Sequence, residues 1–236
     1  MAAAPPLDAH AEAGRAFDTL RALQPDRMPR LAEAPGAAVL QVLGDTPRFL
    51  DAAAWAQGDL AALSELCDRS KAAITAYFSF GALQQGEFVA ATVVRNIHAF
   101  QDELAVLQPF LARCIARQVP VAEAVLRQMG ERQASQLRLG GLKRSQMSLL
   151  QLYAGLSNCF ADAGFGPAYC GLLEVMAELA PLHARALPVA SRVSVLRMLP
   201  QPASLAAGPQ RAAVERIVEA MRDERCTALC LLGVAP

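Results

Sequence analysis

The sequence predicts a mainly α-helical, multi-helix bundle, with a small C-terminal strand–helix–strand element as the α+β alternative. Three observations predict it. Apolar residues recur at the 3.6-residue helical period through most of residues 46–187. Helix-start and helix-stop signals bound these runs, among them Thr46-Pro47, Gly81, Pro120, Gly140-Gly141 and Pro167. A chain of 236 residues with 54% hydrophobic and only 19% charged residues is long and apolar enough to bury a sizeable core. The expected organisation is a lead-in over 1–45 that packs on the bundle, the bundle itself over 46–187, and an extension over 188–236 belonging to the same globular unit.

Within the lead-in, Asp8 can cap a short helix on which Ala13, Phe17 and Leu20 share a face, and Pro25, Pro29 and Pro35 then forbid regular structure. Residues 37–43 form a short apolar run between two turn signals and read as a buried strand or a helical turn. From Thr46, with Pro47 at the first helical position, a helix is expected to about Gln57. Asp59 caps the next helix, whose apolar side is Leu63, Cys67, Ser70, Ile74, Tyr77 and Phe78 up to Gly81.

Leu83 opens a long amphipathic pattern through Val94, Ile97, Leu104 and Leu107, with Pro109 as a kink or a new start and Pro120 opening another segment. Residues 142–187 are the expected centre: two apolar helical runs joined at Gly164-Phe165-Gly166-Pro167, the second disrupted at Pro181. In the tail, Arg192 and Ser194 alternate with Val193 and Val195, which reads as a strand over 189–199, with a short helix as the alternative. An amphipathic helix after Gly208-Pro209 and a second apolar run over 227–234 would complete a right-handed crossover.

The formal net charge is zero, which argues against a protein that coats nucleic acid. Lys71 and Lys143 are the only lysines among 22 basic residues, a bias that fits a GC-rich genome, bacterial or viral. Residues 1–10 lack the basic and apolar regions of a secretory signal. The six cysteines are therefore expected to be reduced thiols in the cytoplasm or another reducing compartment, although Cys159 and Cys170 flank the central turn and can approach. Polar residues at helical spacing through 145–173 exclude a membrane span, which needs roughly 20 apolar residues all round.

No motif for a cofactor or a metal is found, and no catalytic residues are assigned. His98 and Asp102, one turn apart, read as a solvated pair. Between 113 and 144, seven cations (Arg113, Arg117, Arg127, Arg132, Arg138, Lys143, Arg144) face two anions, an excess of five. Arginine binds carboxylates through two parallel hydrogen bonds, so Arg127, Arg132, Arg138, Lys143 and Arg144 are the candidate interaction surface for an acidic segment of a protein partner. The absence of aromatics between Phe110 and Tyr153 removes the stacking platform that nucleic acid would use.

The expected function is thus noncatalytic: a protein–protein interaction or assembly protein, with homo-oligomers also compatible. One alternative is a helical-bundle enzyme or ligand-binding protein whose interhelical cavity is lined by Tyr77, Tyr153, Asn158, Asp162 and Tyr169. Another is a viral assembly or host-interference protein.

Overall fold

The computed structural model describes residues 6–23, 27–51, 55, 60–84, 87–128, 139–161, 166–225 and 229–230 of the chain. Among them the regular structure is helical apart from one two-stranded ladder. The helices are α1 (Pro6–Ala22), α2 (Gly36–Gly44), α3 (Thr46–Leu50), α4 (Leu60–Ser79), α5 (Ala90–Ala99), α6 (Gln101–Gln128), α7 (Leu139–Gly155), α8 (Gly166–Ala186), α9 (Val189–Met198) and α10 (Pro209–Arg222). Short 3-10 turns occupy Leu156–Cys159 and Pro202–Ser204, and strands β1 (Leu83–Gln84) and β2 (Glu87–Phe88) pair antiparallel. The protein is a mainly α multi-helix bundle.

Its centre is a row of helices, α4 against α6, α6 against α8, and α8 against α10. A single apolar cluster runs through them, from Ala13 on α1 to Leu229 near the C-terminus. The expected α1 face is buried: Ala13, Phe17 and Leu20 turn inward, and the Phe17 ring meets Phe110 edge-on at 5.2 Å. On α4, Leu63, Cys67, Ser70, Ile74 and Tyr77 are buried as the helical period requires. Of the stretch 142–187, the second half is central as α8, while α6 rather than α7 is its main partner.

Residues 36–44 take the helical one of their two expected forms, and Gly36 at the start has no room for a Cβ, which would lie 2.8 Å from the Arg30 backbone. Other elements differ from expectation. Helix α3 ends at Leu50, well short of Gln57. Leu83 belongs to the hairpin, in register with Phe88, so helix begins only at Ala90.

Pro109 and Pro120 both lie inside the 28-residue α6, and Pro181 lies inside α8. An interior proline costs roughly 3 kcal/mol in an isolated helix. Here α6 and α8 bury most of their circumference against each other and their neighbours, and that packing outweighs the lost bonds.

The tail contains no strand among the described residues. Residues Val189–Met198 are helical, with Arg192 and Val195 inward and Val189 and Val193 exposed. Alternation misleads here because the inward group is a cation and the valine beside it faces out. Of the run expected as a second strand over 227–234, only 229–230 are described, and they are helical.

The cysteines are a second correction. Cys67 of α4 is bonded to Cys114 of α6, with Cα atoms 5.6 Å apart, and Cys159 of the first 3-10 turn is bonded to Cys170 of α8. Cys230 is also disulfide-bonded, and no described cysteine is free. The expected reduced thiols are therefore disulfides, formed because helix packing brings together sulfurs that lie 47 residues apart in one case.

Helix α4 stops at Ser79, followed by Gly81 at φ 63°, the left-handed conformation that terminates helices. Its end is capped from a distance: the buried Asn96 amide on α5 donates to the carbonyls of Phe78 and Phe80, at 3.0 and 2.7 Å. Asn96→Ala would leave both acceptors without this donor and is expected to cost about 2 kcal/mol, read from urea unfolding curves. A loss below a few tenths would show that the cap is not needed.

Candidate functional site

Several polar side chains inside the bundle are held by backbone carbonyls or by each other. His183 of α8 is fully buried; its Nε2 lies 3.1 Å from the Ala112 carbonyl and its Nδ1 lies 3.1 Å from the Tyr153 hydroxyl. A carbonyl only accepts, so Nε2 carries the proton, and Nδ1 accepts from Tyr153. Burial pushes the His183 pKa down to about 4, against the opposing effect of the bond to Ala112. Burial likewise raises the Tyr153 phenol. The imidazole is neutral and sequestered, joining α6, α7 and α8.

Tyr77 belongs to a different corner. Its hydroxyl donates to the Pro29 carbonyl at 2.7 Å and its ring meets Phe100 edge-on at 5.3 Å. Burial raises its pKa, with the Glu103 carboxylate adding and Arg30 opposing. Glu103, 2% exposed, accepts from the Leu31 amide at 2.7 Å. Tyr169 is buried on α8 with its ring against Gly155, and Asn158 is half-buried in the 3-10 turn. Tyr153, Asn158 and Tyr169 thus belong to the α7–α8 region, Tyr77 does not join them, and Asp162 lies outside the described residues.

In the basic region, Arg132 and Arg138 lie outside the described residues, and Arg127 falls in the last turn of α6. Lys143 and Arg144 are exposed on α7. Arg144 pairs with Asp68 of α4 at 3.1 Å. With both partners about half exposed, Arg144→Ala is expected to change stability by less than about 1 kcal/mol, checked by thermal unfolding. A larger loss would mark the α4–α7 contact as a structural link.

A more developed charged surface lies elsewhere. An open groove of about 970 Å³ runs between α8, α9 and α10, with Ala177, Pro181 and Ala184 in its lining and Arg185, Arg216 and Arg225 around them. Arg185 makes two hydrogen bonds to the buried Glu123 carboxylate, and Arg216 pairs with Glu174 at 2.8 Å. Arg225 grips Asp223, whose carboxyl it holds down to about 2.

Arg192, 2% exposed, is bound by backbone alone: it donates to the carbonyls of Leu187 at 2.9 Å, Arg225 at 2.9 Å and Asp223. Desolvation lowers its pKa, against the attraction of Asp223. These contacts tie the chain after α10 to α9. The sequence signal for Arg192 and His183 was a polar residue embedded in an apolar run, which reads as an outward face unless the tertiary partner is known.

Exposed apolar side chains include the cross-strand pair Leu83 and Phe88, 71% and 65% exposed, and Val94 of α5 at 57%. No cluster of three metal-ligating side chains occurs among the described residues, and none of their helices is long and apolar enough to cross a membrane. No protein-family model matches the chain, and neither a curated protein nor a solved structure is significantly similar to it.

Proposed function

We propose that this chain is a noncatalytic protein-interaction or assembly protein that works in an oxidising compartment and acts through its charged surface. The observation that carries this reading is the contrast between interior and groove. His183, Tyr153 and Tyr77 are buried in bonds to backbone or to each other, whereas guanidinium and carboxylate groups line a hollow of about 970 Å³ open to solvent. Groups spent on structure are poor reagents; paired surface charges exchange readily with those of a partner.

The disulfides support the compartment, because such bonds persist where thiols are not held reduced. The cytoplasmic expectation drawn from composition is the alternative compartment.

The test uses the purified, oxidised protein as bait at low and high salt, followed by reconstitution with the recovered protein in pure form. Reconstituted binding that weakens with salt is the expected result. Sedimentation as a monomer with no partner at either salt would count against it. So would a metabolite that stabilises the protein: a ligand at 100 times its dissociation constant adds about 2.7 kcal/mol, and would favour the ligand-binding alternative.

A further inference from the structure

The disulfides of the bundle differ in what surrounds them. Cys67 and Cys114 are 3% and 0% exposed between α4 and α6, so a reagent meets either sulfur only when that contact opens. The Cys159–Cys170 bond lies nearer the surface. Cys159, 7% exposed, ends the first 3-10 turn, whereas Cys170 on α8 is only half-buried. Gly171 beside it is exposed, and a Cβ there would meet no group from outside its own turn within 4 Å, so the space next to Cys170 is open. In thiol–disulfide exchange a thiolate attacks one sulfur of the bond, and access decides which sulfur that is. Here access selects Cys170.

The groups around that sulfur suit exchange in both directions. The exposed Gln210, second residue of α10, places its amide Nε2 3.3 Å from Cys170 Sγ. An N–H donor favours the charged sulfur over the neutral one. The Cys159 carbonyl lies 3.5 Å from the same sulfur and can accept from the Cys170 thiol once the bond is open. Both cysteines also sit on elements held by other contacts, since Leu156 of the turn and Tyr169, Leu172 and Leu173 of α8 are buried. The two sulfurs therefore stay within reach of each other after reduction.

We infer that Cys159–Cys170 is a reversible thiol–disulfide exchange site, with Cys170 as the sulfur attacked by a protein dithiol, Gln210 as the donor that favours its thiolate, and Cys159 as the resolving thiol. A thiolate of the dithiol attacks Cys170 Sγ; the Cys159–Cys170 bond breaks, and its electron pair passes to Cys159 Sγ, which takes up a proton. The dithiol's second thiol then loses its proton and attacks the dithiol's own sulfur in the mixed disulfide, and Cys170 leaves as a thiolate beside Gln210. The dithiol ends as a disulfide, and its two electrons have reduced the pair. An oxidised partner runs the same steps backward. The site goes beyond the interaction reading above and does not depend on it.

The wild-type chain gives the first test. The full oxidised protein is treated with graded dithiothreitol, alkylated and mapped by mass spectrometry. Cys159 and Cys170 should be labelled at concentrations that leave Cys67 and Cys114 bonded, with the circular-dichroism spectrum unchanged, and oxidised glutathione should then restore the same pair. Release of both bonds together, or re-formation of a different pair, would overturn the site.

The variants C159S and C170S, each leaving one thiol of the pair, test the direction. Toward a dithiobis-nitrobenzoate probe, Cys170 in C159S should form the mixed disulfide about tenfold or more faster than Cys159 in C170S. C159S/Q210A should react about threefold slower than C159S, and C159S/Q210K faster, a response to charge that a packing role for Gln210 would not give. Matching circular-dichroism melts confirm the fold across the series. Equal rates for the two cysteines, or rates indifferent to the residue at 210, would overturn the assignment.

Discussion

Replacing both Cys67 and Cys114 with alanine is expected to lower the free energy of unfolding by about 4 kcal/mol. The bond joins residues separated by 47 positions, and in the chain-entropy description a closed loop of that length removes about that much conformational freedom from the unfolded state. The native side of the balance reinforces the effect, since Cys67 and Cys114 are 3% and 0% exposed between α4 and α6, and truncating the sulfurs loosens that packing.

Urea unfolding of the oxidised wild type and the double variant measures the difference, and peptide mapping without reductant confirms the linkage. Alkylation of either cysteine in the native, unreduced protein would remove the premise. The Cys159–Cys170 bond closes a much shorter separation of 11 and should contribute less, about 3 kcal/mol. Because Cys170 is only half-buried, graded reductant should open that bond first.

Acidification is expected to destabilise the protein through His183, by an amount on the order of 3 kcal/mol at about 1.36 kcal/mol for each pH unit separating the native and unfolded titrations. An unfolded histidine titrates near 6.5 and native His183 near 4. Between these values the unfolded chain binds a proton that the native core excludes, so stability falls as pH is lowered. The contribution of the neutral imidazole is complete above about pH 6.5, declines through the window, and is gone by about pH 4.

Protonation would place a second N–H at Nδ1, where the Tyr153 hydroxyl now donates, in a site with no carboxylate bonded to the ring. H183Q supplies one donor and one acceptor without a titrating group and should flatten the profile between pH 6.5 and 4. Asp223, held down to about 2 first by its hydrogen bond from Arg225, works in a separate window: its stabilisation is lost as pH falls from 3.8 toward 2. An H183Q profile parallel to wild type between pH 6.5 and 4 would disprove the role of His183.

The elements that were legible have one property in common: their burial follows periodicity and their ends carry local signals. Helix α4, with its inward Leu63, Cys67, Ile74 and Tyr77, and α10, entered at Pro209 with Val214, Ile217 and Met221 buried, are of this kind. Helix α5 is not. Thr92 and Asn96 are buried there while Val94 is exposed, because Asn96 is needed at the end of α4 and the hydrophobic pattern cannot register that need.

The surface was legible in part. Arg113 and Arg117 fall in the sequence's basic stretch, and both line a hollow of about 470 Å³ against α3 and α6. Arg185, Arg192, Arg216 and Arg225, which line the groove between α8, α9 and α10, come from later elements and look ordinary along the chain.

The sequence by itself determined the helical class, most apolar faces, and where several helices begin, since each depends on residues within a turn or two of one another. Only the tertiary structure decided that three interior prolines are spanned, that residues 189–198 are helix around a buried arginine, that the cysteines are paired, and which arginines share a surface. Those outcomes depend on groups far apart in the chain: carbonyls that hold Arg192 from more than thirty residues away, and sulfurs brought together by helix packing. Free energy at such sites is set by the partner that packing supplies, and local pattern carries no record of it.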